Sequence, residues 1–489
     1  MMVRIQVLVL AALVIAGAAQ ARNVNVATYA ELYTACTTAE PFDTILLKKG
    51  TYTINDGKSR IYIANRPGPV YVRGELNDPN VVMIQGLGQD NPQVEMIFNL
   101  DNCPDWTFRY LNLSKTYYHG FKLDHNTTNC TIEYVNMRDH GSAAIKGTSD
   151  PATNAYPDHL LVQHCSIGYG SHDGGTRDVV EGIDGVGVGY WIIAHNYFYN
   201  IQKTGGDGIA YGCFTKGNSK FTTIEANRFE DCFIGASLGG GGTAPQFFRD
   251  SDQTYEHRNG FIMNNEFVRC DDAAIYINKG LDTRVYHNTL FECGLSIQFR
   301  YEQTTGEILN NLVKPAPSNA SEPLYRFRNG APSGYVEHNL AATDADFQVT
   351  TGTSHGIDLR LREGSKAIDS ATGLFAVLID YDGYNRPMGN GFDIGAHEFP
   401  PVFAVEKYPG IGSPRLRYAA STHRLLLSLP QEIQNARVTI ADLLGRTVLA
   451  TSGSAASLEE IALSRDLHGS YFFCIEYGGR RFVEKMVIY

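Results

Sequence analysis

Short runs in which apolar and polar residues alternate recur through the middle of the chain. They are LLVQHCSI, WIIAHNYF, TTIEANRF, GFIMNNEF, TRVYHNTL, GEILNNLV and GYVEHNLA. One slot in these runs holds Cys165 and then Asn196, Asn227, Asn265, Asn288, Asn311 and Asn339. The steps between occupants span roughly 23 to 38 residues, the range of solenoid coils that carry loop insertions. A period of two, with many Ile, Val, Thr, Phe and Tyr, predicts strands rather than helices. FRYLNLS and IEYVNMR read as earlier coils shifted by one position. Second apolar patches such as AAIKG, FIGASLGG, AAIYINKG and LSIQFR follow the runs, so each coil carries at least two short strands. Stacked coils of this kind form parallel sheets with about 4.8 Å between strands.

The asparagine slot reads as structural. Asn at a bend tolerates left-handed backbone and hydrogen-bonds to its equivalent one coil on. Cys232, Cys270 and Cys293 each follow their coil's Asn by five positions and predict a buried column. Their spacing is within disulfide range, but parallel stacking aims the thiols poorly, and packing is the better reading.

The ends of the chain differ from its middle. MMVRIQVLVLAALVIAGAAQA carries Arg4, an apolar stretch and Ala19-Gln20-Ala21, the pattern of a signal peptide over 1–21. The expected location is therefore secreted or cell-surface. The tail 401–489 alternates strands and turns in the manner of a small β-sandwich. The formal net charge is −11 and no Lys/Arg block occurs, which argues against nucleic acid as a partner. No P-loop, dinucleotide fingerprint, zinc spacing or nucleophile elbow is present.

TYAELYTACTTAEPFDTILLKKGTYTI resembles the capping helix and entry strand of the pectate-lyase-like superfamily, with Asp43, Thr44, Ile45, Leu47, Gly50 and Tyr52 carrying the match and Phe42 where Gly is usual. That resemblance implies an all-β fold, a right-handed parallel β-helix over 22–345. SKAIDSATGLFAVLIDYDGYNRPMGNGFDIGAHEF is similar to the choice-of-anchor Q ending of such proteins, here 346–400. VTIADLLGRTV, GSYF and RFVEKMVI resemble a type IX secretion C-terminal sorting domain, which implies the outer-membrane secretion machinery as a partner. The mature protein is expected to be a monomer.

Candidate chemistry centres on Lys216. The position closing the second patch of each coil reads Lys146, Gly187, Lys216, Gly239, Lys279, Arg300 and Arg328, a basic stripe on an acidic protein. Such a stripe suits an acidic polysaccharide, with arginine forks matched to carboxylate or sulfate. FTKGNSKFTTIEANRF is similar to the alginate-lyase and chondroitinase-B group, a resemblance that implies Lys216 as the base of a β-elimination. The second basic residue of that group has no counterpart in Ala236-Ser237-Leu238-Gly239-Gly240. Arg249, in the long insertion GGGGTAPQFFRDSDQTYEHR, is the expected substitute, with Tyr255 as acid. Substrate contacts are expected from Arg249, Lys279, Arg300 and Arg328. Calcium is the expected cofactor, on Glu181, Asp184 and Asp207, with His172, Asp173 and Asp178 nearby in sequence. Two alternatives stay open. One is a glycoside hydrolase using paired carboxylates such as Asp271 and Asp272. The other is a non-catalytic glycan-binding or structural surface protein.

Overall fold

The structure is a computed structural model. It describes residues 21–170, 180–202 and 209–400, and in the C-terminal part 415–419, 424–429, 433–443, 445–464, 467, 469–477 and 480–488. The alternating runs are strands, and each pairs in parallel with its equivalent one coil on. The apolar slot of the runs thus forms a continuous column: Ile132, Val162, Ile193, Ile224, Ile262, Val285 and Ile308. Ten strands from Ile61–Ala64 to Tyr325–Arg328 form one parallel sheet, and a 21-stranded sheet of short strands makes the other walls. Parallel strands joined by crossovers wind right-handed, and the fold is a right-handed parallel β-helix. Inside it, Phe198, Phe229 and Phe267 stack with ring centroids 4.7 and 4.8 Å apart, one coil spacing. Each fully buried ring contributes about 1.5–3 kcal/mol.

A helix, Tyr29–Thr37, covers the N-terminal end. Thr28 and Glu31 form a capping box, and Leu32 and Cys36 are buried against the strands beneath. A solenoid needs such a cap because its first coil has no neighbour to bury it.

The asparagine slot is a ladder along the solenoid. Asn227 Nδ2 donates to Asn265 Oδ1 at 3.0 Å, Asn265 Nδ2 to Asn288 Oδ1 at 3.0 Å, and Asn288 Nδ2 to Asn311 Oδ1 at 3.0 Å. The left-handed residue of the bend is the one before the Asn: His164, His195, Ala226, Asn264, His287 and Asn310 all have positive φ. The Asn side chain is therefore kept for hydrogen bonding and not for backbone tolerance. All nine cysteines are buried and outside any disulfide, and the Cys270 N–H donates to Cys293 Sγ at 3.4 Å. The column is packing.

Beyond the last parallel pairing, Leu340–Ala341 with Leu312–Pro315, an antiparallel pair, Phe347–Val349 with Asp358–Leu361, leads segment 346–400 back over the coil wall. It buries Phe347 and Leu361 against Val268, Phe291 and Leu312. A fully buried ion pair, Arg386 to Glu398 at 2.6 Å, pins it, and Arg386 also donates to Asn264 Oδ1 at 3.1 Å. The tail is a β-sandwich of two antiparallel sheets sharing a core of Leu425, Val438, Ile440, Phe473 and Ile475. Lys485 of this sandwich forms an ion pair with Glu225 of the solenoid. No helix among the described residues is long and apolar enough to cross a membrane. Residues 1–20, most of the expected signal peptide, lie outside the described residues.

Candidate functional site

Strand Glu181–Val186 and strand Tyr211–Lys216 are neighbours in the ten-stranded sheet. They hold Glu181, Asp184 and Lys216 on its outer surface. The pairing places Thr148, Val186 and Lys216 in one column. Lys122, Lys146, Asp184 and Phe214 occupy the column beside it.

This register breaks the basic stripe expected from the sequence. Lys146 does not stand in the Lys216 column; it pairs with Asp184, and the two form an ion pair. Lys279 follows Asn278, which is the residue opposite Arg300, and takes a left-handed turn conformation with φ of 53°. Gly187 is one residue past Val186, the true partner of Lys216. Arg300 and Arg328 remain paired in the column. Turns that hold different numbers of residues let a sequence alignment slip by one or two positions, and each slip in a strand moves a side chain to another column or face.

Lys216 is half-buried, and its aliphatic stem brings Nζ over the Phe214 ring, 4.9 Å from the centroid. Among the described residues its ammonium donates only to the Gly241 carbonyl, at 3.2 Å. Lys122 and Lys146 differ, since each is matched by a carboxylate, Asp124 and Asp184. Among the described residues, Lys216 is the ammonium of this cluster with no acid bonded to it.

Glu181 is 7% exposed, and its carboxyl makes no hydrogen bond among the described residues. Burial pushes its pKa up to about 7, the negative charge of Asp184 adds to the effect, and Lys146 and Lys216 oppose it. Asp184 is 3% exposed; its Oδ2 takes the Lys146 ammonium and its Oδ1 has no partner among the described residues. Two nearly buried carboxyl groups with unused oxygens therefore lie beside two lysines. Hard oxygen donors of this kind suit Ca²⁺, and Glu181 and Asp184 are the described residues that would hold it. Asp207, His172, Asp173 and Asp178 lie outside the described residues.

The insertion 240–256 is fastened beside the site, and this changes the parts expected of Arg249 and Tyr255. The Arg249 guanidinium is bidentate to Asp158, at 2.6 and 2.8 Å, and lies over the Tyr156 ring at 3.8 Å. Its side chain is 9% exposed, so its charge is spent on anchoring the loop and not offered to a ligand. The Tyr255 hydroxyl donates to Asp250, and burial together with that carboxylate holds its pKa well above the ordinary tyrosine range. A proton committed in this way makes Tyr255 a brace of the loop rather than a general acid at Lys216. Glu256, which sequence reading passed over, accepts from the Gly217 N–H at 2.8 Å and from Thr243 Oγ1 at 2.9 Å, closing the loop against the end of the Lys216 strand. Nothing in the local sequence marks Asp158 or Glu256, because their partners lie 91 and 39 residues away. Asp271 and Asp272 sit in the turn before strand Ala273–Asn278, with Asp271 exposed.

A second group of possible ligands, Asp380, Asp382 and His397, brings its ligand atoms within 4.8 Å of one another. His397 is buried, which by itself would lower its pKa. However, Asp382 at 2.9 Å and Glu266 at 2.8 Å hold it up to about 9. Both ring nitrogens then carry protons and have no lone pair for a metal. Asp380 accepts the backbone N–H groups of Tyr384 at 2.8 Å and Glu398 at 2.9 Å. This group fastens segment 346–400 to the solenoid.

No family model matches the chain, and no curated protein matches it either. Solved structures similar to it include a pectate lyase. It aligns over 78% of this chain and 97% of its own at 15% identity, with a TM-score of 0.49. An alginate lyase from a Paenibacillus species aligns over 65% of this chain and 98% of its own at 14% identity, with a TM-score of 0.37. A lacto-N-biosidase from Eubacterium ramulus aligns over 64% of each chain at 14% identity, with a TM-score of 0.43. At these identities the likeness is one of fold, and function has to be argued from the site.

Proposed function

We propose that the protein is an exported, carbohydrate-active β-helix enzyme that cleaves an acidic polysaccharide by β-elimination at Lys216. The observation that carries this reading is the juxtaposition of a half-buried Lys216, without a carboxylate partner among the described residues, and two nearly buried carboxyl groups, Glu181 and Asp184, on the outer surface of the long sheet. Lys216 as free amine takes the proton α to a uronate carboxylate. The electron pair left behind forms the carbon–carbon double bond as the glycosidic C–O bond β to the carboxylate breaks. The departing sugar oxygen takes a proton from water, since Tyr255 is bonded elsewhere. Calcium, when bound, supplies neutralisation of the sugar carboxylate. Glu181 and Asp184 are the residues proposed to hold it, and the secretion machinery is the proposed partner of the tail.

The test is incubation with alginate, pectate, chondroitin and heparin types, with and without calcium, following the ultraviolet absorbance of the unsaturated sugar. The expected result is a signal from at least one polymer that is lost in Lys216→Ala. Silence on every polymer, with no new reducing ends, rejects the lyase. It leaves the second reading, a glycan-binding surface protein, which the engagement of Tyr255 by Asp250 and of Arg249 by Asp158 favours.

A further inference from the structure

The Lys216 column is electrically lopsided. Counting strands toward the N-terminus from Lys216, the pairing passes Val186 and Thr148 and reaches Asp124 at the third step and Asp101 at the fourth. Counting toward the C-terminus, it passes the Gly239 and Asn278 positions and reaches Arg300 at the third step and Arg328 at the fourth. At about 4.8 Å per strand, the pairs lie roughly 14 and 19 Å to either side.

The two ends also differ in how their charges are matched. Arg300 donates to Asn329 Oδ1 at 2.7 Å and to the Tyr276 hydroxyl, and Arg328 donates to Gln298 Oε1 at 3.3 Å. Both are half-buried, and neither has a carboxylate partner among the described residues. Arg326, on the same strand, is different, because Glu322 pairs with it. Two guanidinium groups one strand apart, held by neutral partners only, repel each other and carry unspent positive charge. At the other end Asp124 is matched by Lys122, while Asp101 accepts from the Tyr62 hydroxyl and faces His125.

On the reading of Lys216 given above, we infer that a bound acidic chain extends from Lys216 toward the C-terminal end of the solenoid. Arg300 and Arg328 grip two successive acidic groups there, three and four sugars from the reacting one. One sugar of an extended chain spans about one strand spacing, so successive acidic groups meet successive rungs. Each grip is a charge-assisted hydrogen bond to carboxylate or sulfate. In the opposite direction the same acidic groups meet Asp124, already paired with Lys122, and Asp101, with no unmatched cation among the described residues of that column to receive them. The ligand class is therefore a polyanionic chain of at least five sugars, held unequally about the reacting bond.

The test measures binding of galacturonate and guluronate oligomers, dimers against hexamers, at low and at high salt. It compares the intact protein, Lys216→Ala, the double variant Arg300→Gln/Arg328→Gln and the mirror variant Asp101→Asn/Asp124→Asn. In the double variant, hexamer binding is expected to weaken at least about tenfold, with a smaller loss on adding salt and dimer binding unchanged. On a cleaved substrate the same variant raises KM for hexamers and leaves kcat in place. The mirror variant holds the hexamer as well as the parent or better. Hexamer binding that is indifferent to the arginines, while Lys216→Ala weakens it, overturns the distal grip and leaves the Lys216 reading standing. Equal losses in the arginine and aspartate variants overturn the direction of the chain. Absence of binding by any oligomer to the intact protein overturns both.

Discussion

Glu181 gives the most direct check on the physics of the site. The residue is 7% exposed, its carboxyl has no hydrogen bond among the described residues, and its pKa stands at about 7 against an ordinary 4.5. Folding therefore favours the protonated form. The stability this provides is fully present below about pH 4.5 and is lost as pH rises through about 7. A shift of that size corresponds to about 3 kcal/mol. Glu181→Gln keeps the shape and removes the charge. The variant should match the parent near pH 4.5 and exceed it by about 3 kcal/mol at pH 8.5. Urea unfolding at five pH values, with both proteins in chelator, reads the difference directly. Calcium adds a second arm, since it should stabilise the parent at pH 8.5 by pairing with the ionised carboxylate and do much less for the variant. A parent and variant whose stabilities run parallel with pH would refute the account of an unpaired, desolvated carboxylate at this position.

Further expectations follow from other parts of the fold. Asn265→Ala strands the Ile224 and Met263 carbonyls and the Asn227 N–H in the interior, and should cost about 3–5 kcal/mol in chemical denaturation. Arg249→Met leaves Asp158 without its cation, and should cost about 3 kcal/mol while opening segment 240–256 to limited proteolysis. Phe42 holds a φ of 74° on an exposed turn, so Phe42→Gly should stabilise the chain by up to about 1 kcal/mol, read as a higher urea midpoint. Lys216→Ala should change stability by less than about 0.5 kcal/mol while removing any lyase signal, because the side chain is half-buried and its amine makes one hydrogen bond among the described residues.

Local pattern alone determined the repeating unit of this protein. A strand shows itself in every other residue, and a coil shows itself when the same pattern returns, so the solenoid, its asparagine ladder and its buried thiol column could all be read from the chain. Lys216 was also legible, because it closes one strand and begins one turn. Tertiary structure decided which charges are free. Arg249 and Tyr255 looked available in sequence and are tied to Asp158 and Asp250, while Lys146 lies in a different column from Lys216 and is matched by Asp184. The physical reason is that strand pattern depends on neighbours two residues apart, whereas the state of a charge depends on partners tens of residues away. Turns of unequal length set which partners those are, and only the pairing of complete coils settles that register.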